Sequence, residues 1–572
     1  MSTIDWVILV LTLSGIILFG VYKSKSTRSL DGYFLSNREM PWWIVLLSIM
    51  GTQASAVTFL SAPGQAYTDG MRFVQYYFGL PLAMVVLCVT FLPIFHKLKV
   101  YTAYEFLEQR FDVKTRTLTS FLFLLSRGLS TGISIYAPAI ILSSLLGWNI
   151  YITNVLMGGL LIIYTVSGGA KAVAYTQQIQ LSIVFVGMFL AGYMVVNMLP
   201  ENVGFTDALR IGGKMGKLNV ITTGITENGF DWTDRFNIFS GVIGGFFLML
   251  SYFGTDQSQV GRYLTAKSIR ESRMGLLMNG IVKVPMQFLI LMVGVLVFSF
   301  YQFNSAPIFF NEVPLNKIKN SANRDSLAVL EKQFELLTEQ KKEQVVSMAA
   351  AIDAGAESQQ TAASDSMLVL LSKQEVLRDG VKKMIVDQGL KAESSDTNYI
   401  FIRFVVDHLP KGLIGLLIAV IFLAAWGSIA AALNSLSSAT VVDFHKKFIN
   451  KNLNDEQDYK VSRWYTFFWG VFCIVAAEFF TGMGSLIEAV NILGSWFYGV
   501  MLGIFLVAFY LKFVKGHAVF LAALIGEAIV IGMYAFTNIG WLWLNVIGSV
   551  AVVLLAIILQ FTFFRSSAKP AV

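Results

Sequence analysis

Apolar runs of about 20 residues, parted by polar connections, dominate the chain. A bilayer-spanning helix needs about 20 mostly apolar residues. Thirteen spans are predicted on that basis, at about 5–22, 42–61, 74–96, 117–145, 148–167, 177–199, 237–257, 275–301, 410–437, 464–482, 485–511, 517–536 and 541–564. Basic residues follow the first run instead of preceding it, and no small-x-small cleavage site is evident. It therefore reads as a retained span with its N-terminus outside. Seven connections then face the cytoplasm and carry the basic clusters "KSKSTR", "HKLKVYTAYEFLEQRFDVKTR", "GRYLTAKSIRESR" and "FHKKFINKNLNDEQDYKVSR". The short outer connections hold only Arg72, Arg210, Lys214, Lys217 and Arg235. A Lys/Arg excess on cytoplasmic loops fixes orientation, so the C-terminus is expected inside.

Residues 303–400 break this rhythm. They are polar, with 11 Lys/Arg against 14 Asp/Glu. Within them "RDSLAVLEKQFELLTEQKKEQVVSM" and "SMLVLLSKQEVLRDGVKKMIVDQG" repeat apolar residues at helical spacing. "DAGAESQQTAAS" supplies a turn between them. The expectation is a helical hairpin outside the membrane, acting as a lid or spacer or docking a protein partner.

Two spans carry polar residues where a plain membrane helix would not. "SIMGTQASAVTF" (48–59) places Gly51, Thr52, Gln53, Ser55 and Thr58 within eight positions, and "FFLMLSYFGTDQSQVGRYLT" (245–264) breaks at Gly254–Ser258. Irregular backbone inside a bilayer is tolerated only where it is buried in protein or lines a cavity. The two interruptions lie five spans apart, so the units containing them face opposite ways. Interrupted spans in corresponding halves point to a secondary-transporter site, with freed carbonyls available to a small cation.

Composition agrees. The 572 residues are 55% hydrophobic and only 14% charged, against roughly 25% charged in soluble domains. The net charge of +7 therefore reports cytoplasmic loops and does not indicate nucleic-acid binding. Cys88 and Cys473 sit in separate apolar runs and imply neither a disulfide framework nor a metal cluster. No nucleotide loop, nucleophile elbow or metal-like histidine pair is present, so an enzyme is not expected.

Two basic residues lie deep in predicted spans. Lys283 is about eight residues into its span, roughly 12 Å, and Arg127 about ten, near mid-depth. Each costs on the order of 2.5–3.5 kcal/mol to insert and is expected to face a cavity, a partner or a solute. An internal ion pair of Lys283 with Asp256 is one alternative. Glu478, Glu488 and Glu527 fall nearer span ends and read as interfacial.

The stretches "DGYFLSNREMPWW", "QASAVTFLSAPGQAYTDG", "TAYEFLEQRF", "YTVSGGAKAVAYTQQIQ", "GRYLTAKS" and "LNSLSSATVVDFHKK" together resemble the sodium/solute symporter family. That family comprises sodium-coupled sugar, proline, iodide, monocarboxylate, multivitamin and sialic acid transporters. The resemblance covers about residues 30–515, apart from the insert. It implies an all-α integral membrane protein with a leucine-transporter-like five-plus-five inverted repeat in spans 2–6 and 7–11. Residues 1–30 would be an extra N-terminal helix, and 31–302 the first repeat with the start of the second. Residues 303–404 would form the extracytoplasmic insert, 405–515 the rest of the second repeat, and 516–572 two more helices with a short cytoplasmic tail.

By the same resemblance, a central sodium site falls on the carbonyls of Gly51, Ala54 and Ala424, with Gly427 and Ser428 at two hydroxyl positions. The chain departs there: Gly427 replaces one hydroxyl. Gln177 stands where many members carry an Asp serving a second sodium site, which favours one ion. Lys283 matches a sugar-contacting lysine of bacterial galactose carriers. The expected function is sodium-driven import of a small organic solute across the cell (inner) membrane by alternating access. Arg127 and Lys283 favour an acidic sugar or other carboxylate, with Asp256 nearby and Gln53, Thr58, Gln75, Tyr76 and Gln257 hydrogen-bonding hydroxyls. A neutral sugar or polyol is the alternative, better suited if Arg127 is paired with a carboxylate. A transporter-like sensor using the outer hairpin is the alternative of another class.

Overall fold

The structure, a computed structural model, describes residues 1–24, 30–390, 394–479 and 485–564. Lys25 and Arg28 of the first basic cluster, and the basic residues of the tail, lie outside that set. Among the described residues, nine helices are long and apolar enough to cross a membrane, and three shorter apolar helices accompany them. Among the described residues the extended structure is a two-residue ribbon pairing Ile225–Thr226 with Gly229–Phe230 and an isolated bridge between Met40 and Ala266.

The helices used below are α1 (Thr3–Ser24), α2 (Trp42–Gln53), α3 (Ala56–Asp69), α4 (Val113–Leu146), α5 (Ile150–Asn197), α6 (Gly245–Thr255), α7 (Gln257–Tyr263) and α8 (Ile269–Phe303). They continue with α9 (Arg324–Asp353), α10 (Glu357–Asp387), α11 (Leu413–Ala439), α12 (Asp455–Phe479), α13 (Leu486–Tyr510), α14 (Gly516–Phe536) and α15 (Trp541–Thr562). Local sequence sets several ends. Asp112 caps α4 by accepting from Thr115 N at 2.8 Å, and Gly147 stops it at φ 66°. Both are ordinary terminus chemistry. Ser268 caps α8 through Glu271 N.

The expected span 42–61 is two helices, α2 and α3. The expected spans 148–167 and 177–199 are instead one helix, α5, of 48 residues. The connection predicted between them contains Gly168 and Gly169 but no proline, and two glycines weaken a helix without removing a backbone donor. The span at 74–96 begins as a 3-10 turn, Gly70–Tyr77, before its helix starts at Leu80. α11 is the most enclosed of the membrane helices and runs through the middle of the bundle. It packs against α4, α5, α1, α2 and α3.

The insert is a hairpin of α9 and α10, turned at Gly355 (φ 67°). Its open end has a small core of its own around Ile308, Phe309, Leu327, Phe334 and Val381. Its turn end does not stand apart: Val345, Met348, Ile352 and Met367 belong to the main hydrophobic core. Lys341 Nζ donates to Tyr301 O on α8 at 2.9 Å. Burial, reinforced by the neighbouring cations Lys342 and Arg378, pushes the Lys341 ammonium down to about 8. The return strand of the insert passes over α3. A Cβ at Gly64 would lie 2.0 Å from Thr397 O, so only glycine permits that approach. Asn398 Oδ1 accepts from Ser61 Oγ on α3 (2.8 Å) and from Leu486 N on α13 (3.2 Å).

Candidate functional site

The first interruption falls at Ala54 (φ −83°, ψ 83°) and Ser55 (φ −86°, ψ 175°). Ala54 N still donates to Met50 O, but Ser55 N turns to Gln53 O and Thr58 N to Ser55 O. In a continuous helix those two amides would bind the carbonyls of Gly51 and Ala54. Both carbonyls therefore lose their regular partners. They are the two that the family resemblance assigns to a cation.

Across from the break lies the turn Ala424–Ser428 of α11. Ser428 Oγ donates to Ala424 O (3.0 Å) and Ala425 O (3.1 Å). Gln177 of α5 spans the gap. Its Oε1 accepts from Ser48 Oγ at 2.8 Å. Its Nε2 donates to Thr52 Oγ1 (3.2 Å) and to Gly427 O (3.0 Å). The oxygens gathered here are neutral carbonyls and hydroxyls, a donor set that fits a monovalent cation held by unwound backbone. Among the described residues no group of three His, Cys, Asp or Glu is placed to hold a metal ion.

The second interruption is a single residue. Asp256 (φ −80°, ψ 116°) separates α6 from α7 and caps α7, its Oδ1 accepting from Ser258 N at 2.8 Å. Its Oδ2 takes Arg127 Nε at 3.1 Å, a second contact from Arg127 Nη2, and the Tyr498 hydroxyl at 2.9 Å. The Arg127 guanidinium also lies over the Tyr252 ring, 5.3 Å from its centroid. The alternative of an Asp256–Lys283 pair is not what forms: the carboxylate faces α4 and pairs with Arg127.

Lys283, fully buried on α8, has no hydrogen-bond partner, and its ammonium lies 5.6 Å from the centre of the Tyr77 ring. Sequence reasoning missed its neighbours. Asn279 and Gln287, four residues to either side, are equally buried, and neither amide group of either residue finds a partner. Positions i and i+4 share a helix face, so α8 presents three unsatisfied polar groups in one stripe. The spacing N-x3-K-x3-Q inside an apolar run was the available signal. Gln53 Oε1, beside the first break, is also buried and unpartnered.

Two expected solute contacts are used otherwise. Gln75 Nε2 donates to Thr222 Oγ1 (3.0 Å) and Phe236 O (3.1 Å), while its Oε1 accepts from Thr222 N. It fastens the Gly70–Tyr77 turn to the loop before α6. Gln257 Nε2 donates to Tyr101 O, and its Oε1 accepts from Ala103 N. Both amides are engaged within the protein, largely by backbone groups. Tyr76 donates its hydroxyl to Asn491 Oδ1 at 2.7 Å, and its ring meets Tyr77 edge-on. Thr58 is buried in the first turn of α3.

Ion pairs lie on either side of this region. At the insert end, Glu488 of α13 joins Arg235 and accepts from Gln65 Nε2 of α3 at 3.2 Å. At the other end, Asp443 is fully buried and takes Arg116 Nε (2.8 Å), Thr102 Oγ1 (2.8 Å) and Ser120 Oγ (2.9 Å). Glu108 bridges Arg116 and Lys447 there.

The profile of the sodium:solute symporter family matches residues 33–334 and 379–526. The sodium/sialic acid symporter SiaT of Proteus mirabilis (strain HI4320) is 25% identical over 564 residues, 96% of this chain and 93% of its own. The sodium/sialic acid symporter NanT of Aliivibrio fischeri (strain ATCC 700601 / ES114) is 25% identical over 97% of this chain and 92% of its own. The sodium-coupled monocarboxylate transporter 1 of Xenopus laevis is 30% identical over 47% of this chain and 42% of its own. Among solved structures, the substrate-bound outward-open state of a Na+-coupled sialic acid symporter superposes with a TM-score of 0.75 at 24% identity, covering 98% of both chains.

Proposed function

The chain belongs to the sodium:solute symporter family, and on that footing we propose that it imports a small organic solute, favoured as an acidic sugar or other small carboxylate, with Na+ moving down its gradient. The observation that carries this reading is the released pair of carbonyls at Gly51 and Ala54, on a helix that Gln177 joins to the Ala424–Ser428 turn of α11. Na+ bound by those oxygens would hold α2 and α3 against α11. It favours the state in which the two surfaces meet, by its differential affinity alone. The interrupted spans in opposed halves suit a five-plus-five inverted repeat with alternating access. The insert and N-terminus are placed outside and the C-terminus in the cytoplasm, following the basic connections.

The solute is assigned by charge. Arg127 and Asp256 offset each other, and Lys283 remains as a cation without a counter-ion. One net positive charge suits a monoanion, and the two full-length relatives named above are sialic acid symporters. The carboxylate contact thus passes from Arg127 to Lys283, with the Asn279 and Gln287 amides available to hydroxyls. The saturated Arg127 favours a second reading, a neutral sugar or polyol held by those amides. The sensor alternative has no observation of its own: part of the insert's apolar surface packs in its own core and against the body, and the apolar side chains left exposed, such as Leu336, Val369 and Val376, identify no partner. Proteoliposomes driven by an inward Na+ gradient decide the matter, with matched acid and neutral sugars competing for uptake. The acid is expected to compete better; equal competition would replace the acidic solute by the neutral one, and no sodium-driven uptake of either would refute import.

A further inference from the structure

We propose that Gln180 supplies a ligand to the sodium site, its amide oxygen taking the place of the hydroxyl that the chain lacks at Gly427. This rests on the sodium coupling proposed above. Gln177 and Gln180 lie three residues apart on α5 and so share a face. They meet the α2–α11 gap differently. Every polar atom of Gln177 is engaged, and its amide ties Ser48 and Thr52 to Gly427 O. Gln180 is 3% exposed, and its Nε2 is buried without an acceptor. A side chain with an unsatisfied buried amide is destabilising, and an apolar residue of the same shape would fill the space without that cost. The nitrogen's unmet donor is thus a cost of keeping a glutamine here, and the position of the oxygen says what that cost is for.

The position of that oxygen identifies the partner. A Cβ built at Gly427 would lie 2.4 Å from Gln180 Oε1. The oxygen thus fills the volume that any side chain at 427 would need. It stands beside Ser428, on the turn that carries Ala424 O and the Ser428 hydroxyl. An amide oxygen is a hard, neutral donor like the carbonyls of Gly51 and Ala54, so the set keeps its oxygen count and its lack of charge. Gly427 is the complement of Gln180: the glycine makes room for the oxygen that replaces its missing side chain.

The pair is therefore exchangeable, which gives the test. Full-length protein in detergent is titrated with NaCl at constant ionic strength against KCl. Melting temperature and tryptophan fluorescence are followed, Trp426 being adjacent to the site. Gln180→Met keeps the length and removes the oxygen, and should raise the Na+ midpoint by about tenfold or more. Gly427→Ser alone should also raise it, since serine and glutamine collide. Gln180→Ala with Gly427→Ser should recover most of what Gln180→Ala loses, because the hydroxyl then occupies the vacated volume. If Gln180→Met does not fold, Gln180→Asn, which withdraws the oxygen, is scored in its place. A wild-type midpoint in the folded single variant overturns the assignment, as does a double variant no tighter than Gln180→Ala. A wild-type protein that shows no Na+ response, in contrast, would overturn the sodium coupling itself.

Discussion

Two buried cations sit in the same bundle under opposite conditions. Arg127 is neutralised by Asp256 and donates to the Tyr498 hydroxyl, whereas Lys283 has a ring face beside it and no hydrogen-bond partner. Their variants should part accordingly. Arg127→Gln leaves Asp256 buried and unpaired, a loss of about 3–5 kcal/mol of stability, and adding Asp256→Asn should restore most of it in thermal unfolding. Lys283→Gln breaks no pair and should leave the melting temperature near wild type. It should weaken an acidic competitor roughly tenfold or more, while leaving a neutral one unchanged. If the acid competes as well against Lys283→Gln as against wild type, Lys283 makes no solute contact. Ser428 gives an independent check on the cation. Ser428→Ala removes a hydroxyl that bonds only its own helix, so folding should survive while the Na+ dependence of uptake weakens strongly. Which cation would be paired was not legible in the sequence. Depth along a span can be counted from residue numbers, but the partner across the bundle depends on helix rotation, and Asp256 turned toward α4.

Among the helices, the interruptions were the most legible feature, because polar residues in an apolar run signal a backbone that leaves the helix. Their exact form was not: one break is two residues wide and the other is a single aspartate that recaps the chain. The connection expected within α5 failed for the converse reason, since paired glycines permit a break without imposing one. The insert was legible as a hairpin from its apolar spacing, yet its docking was hidden, because an amphipathic face does not say what it packs against. That docking has a pH signature. Lys341 titrates near 8 in the folded insert and near 10.4 when unfolded. Between those values the unfolded chain holds the extra proton, so stability rises with pH across the window and is flat below it. The rise amounts to about 3 kcal/mol if the insert unfolds as a unit. Hydrogen exchange of residues 324–388 should slow, beyond its intrinsic pH dependence, from pH 7.5 to 10. Lys341→Met should abolish that extra protection, and an unchanged profile in the variant would exclude Lys341 as its source.

For the protein as a machine, the neutral Gln177 makes a quantitative demand. Its amide joins α2, α5 and α11 by hydrogen bonds alone, where a carboxylate would have called for a second cation. The proposed cycle should therefore move one Na+ per solute, measurable as the reversal potential of uptake in proteoliposomes; a ratio of two would place another site elsewhere. In the proposed cycle the networks at Glu488 and Asp443 lie on either side of the solute path and are expected to open in turn.

Asn398 belongs to the insert's return strand, yet it holds α3 to α13. In the proposed cycle those helices part each time the outward path opens. Each hydrogen bond is worth roughly 1 kcal/mol, about a factor of five in a rate. Such a clasp, closed in one state and open in the other, sets both the barrier to opening and the balance between the two states. A change confined to the insert can thus alter how fast the carrier runs and how readily it presents its site, without touching a solute or Na+ contact. An antibody fragment gripping the hairpin would act as a brake on turnover without competing for the site.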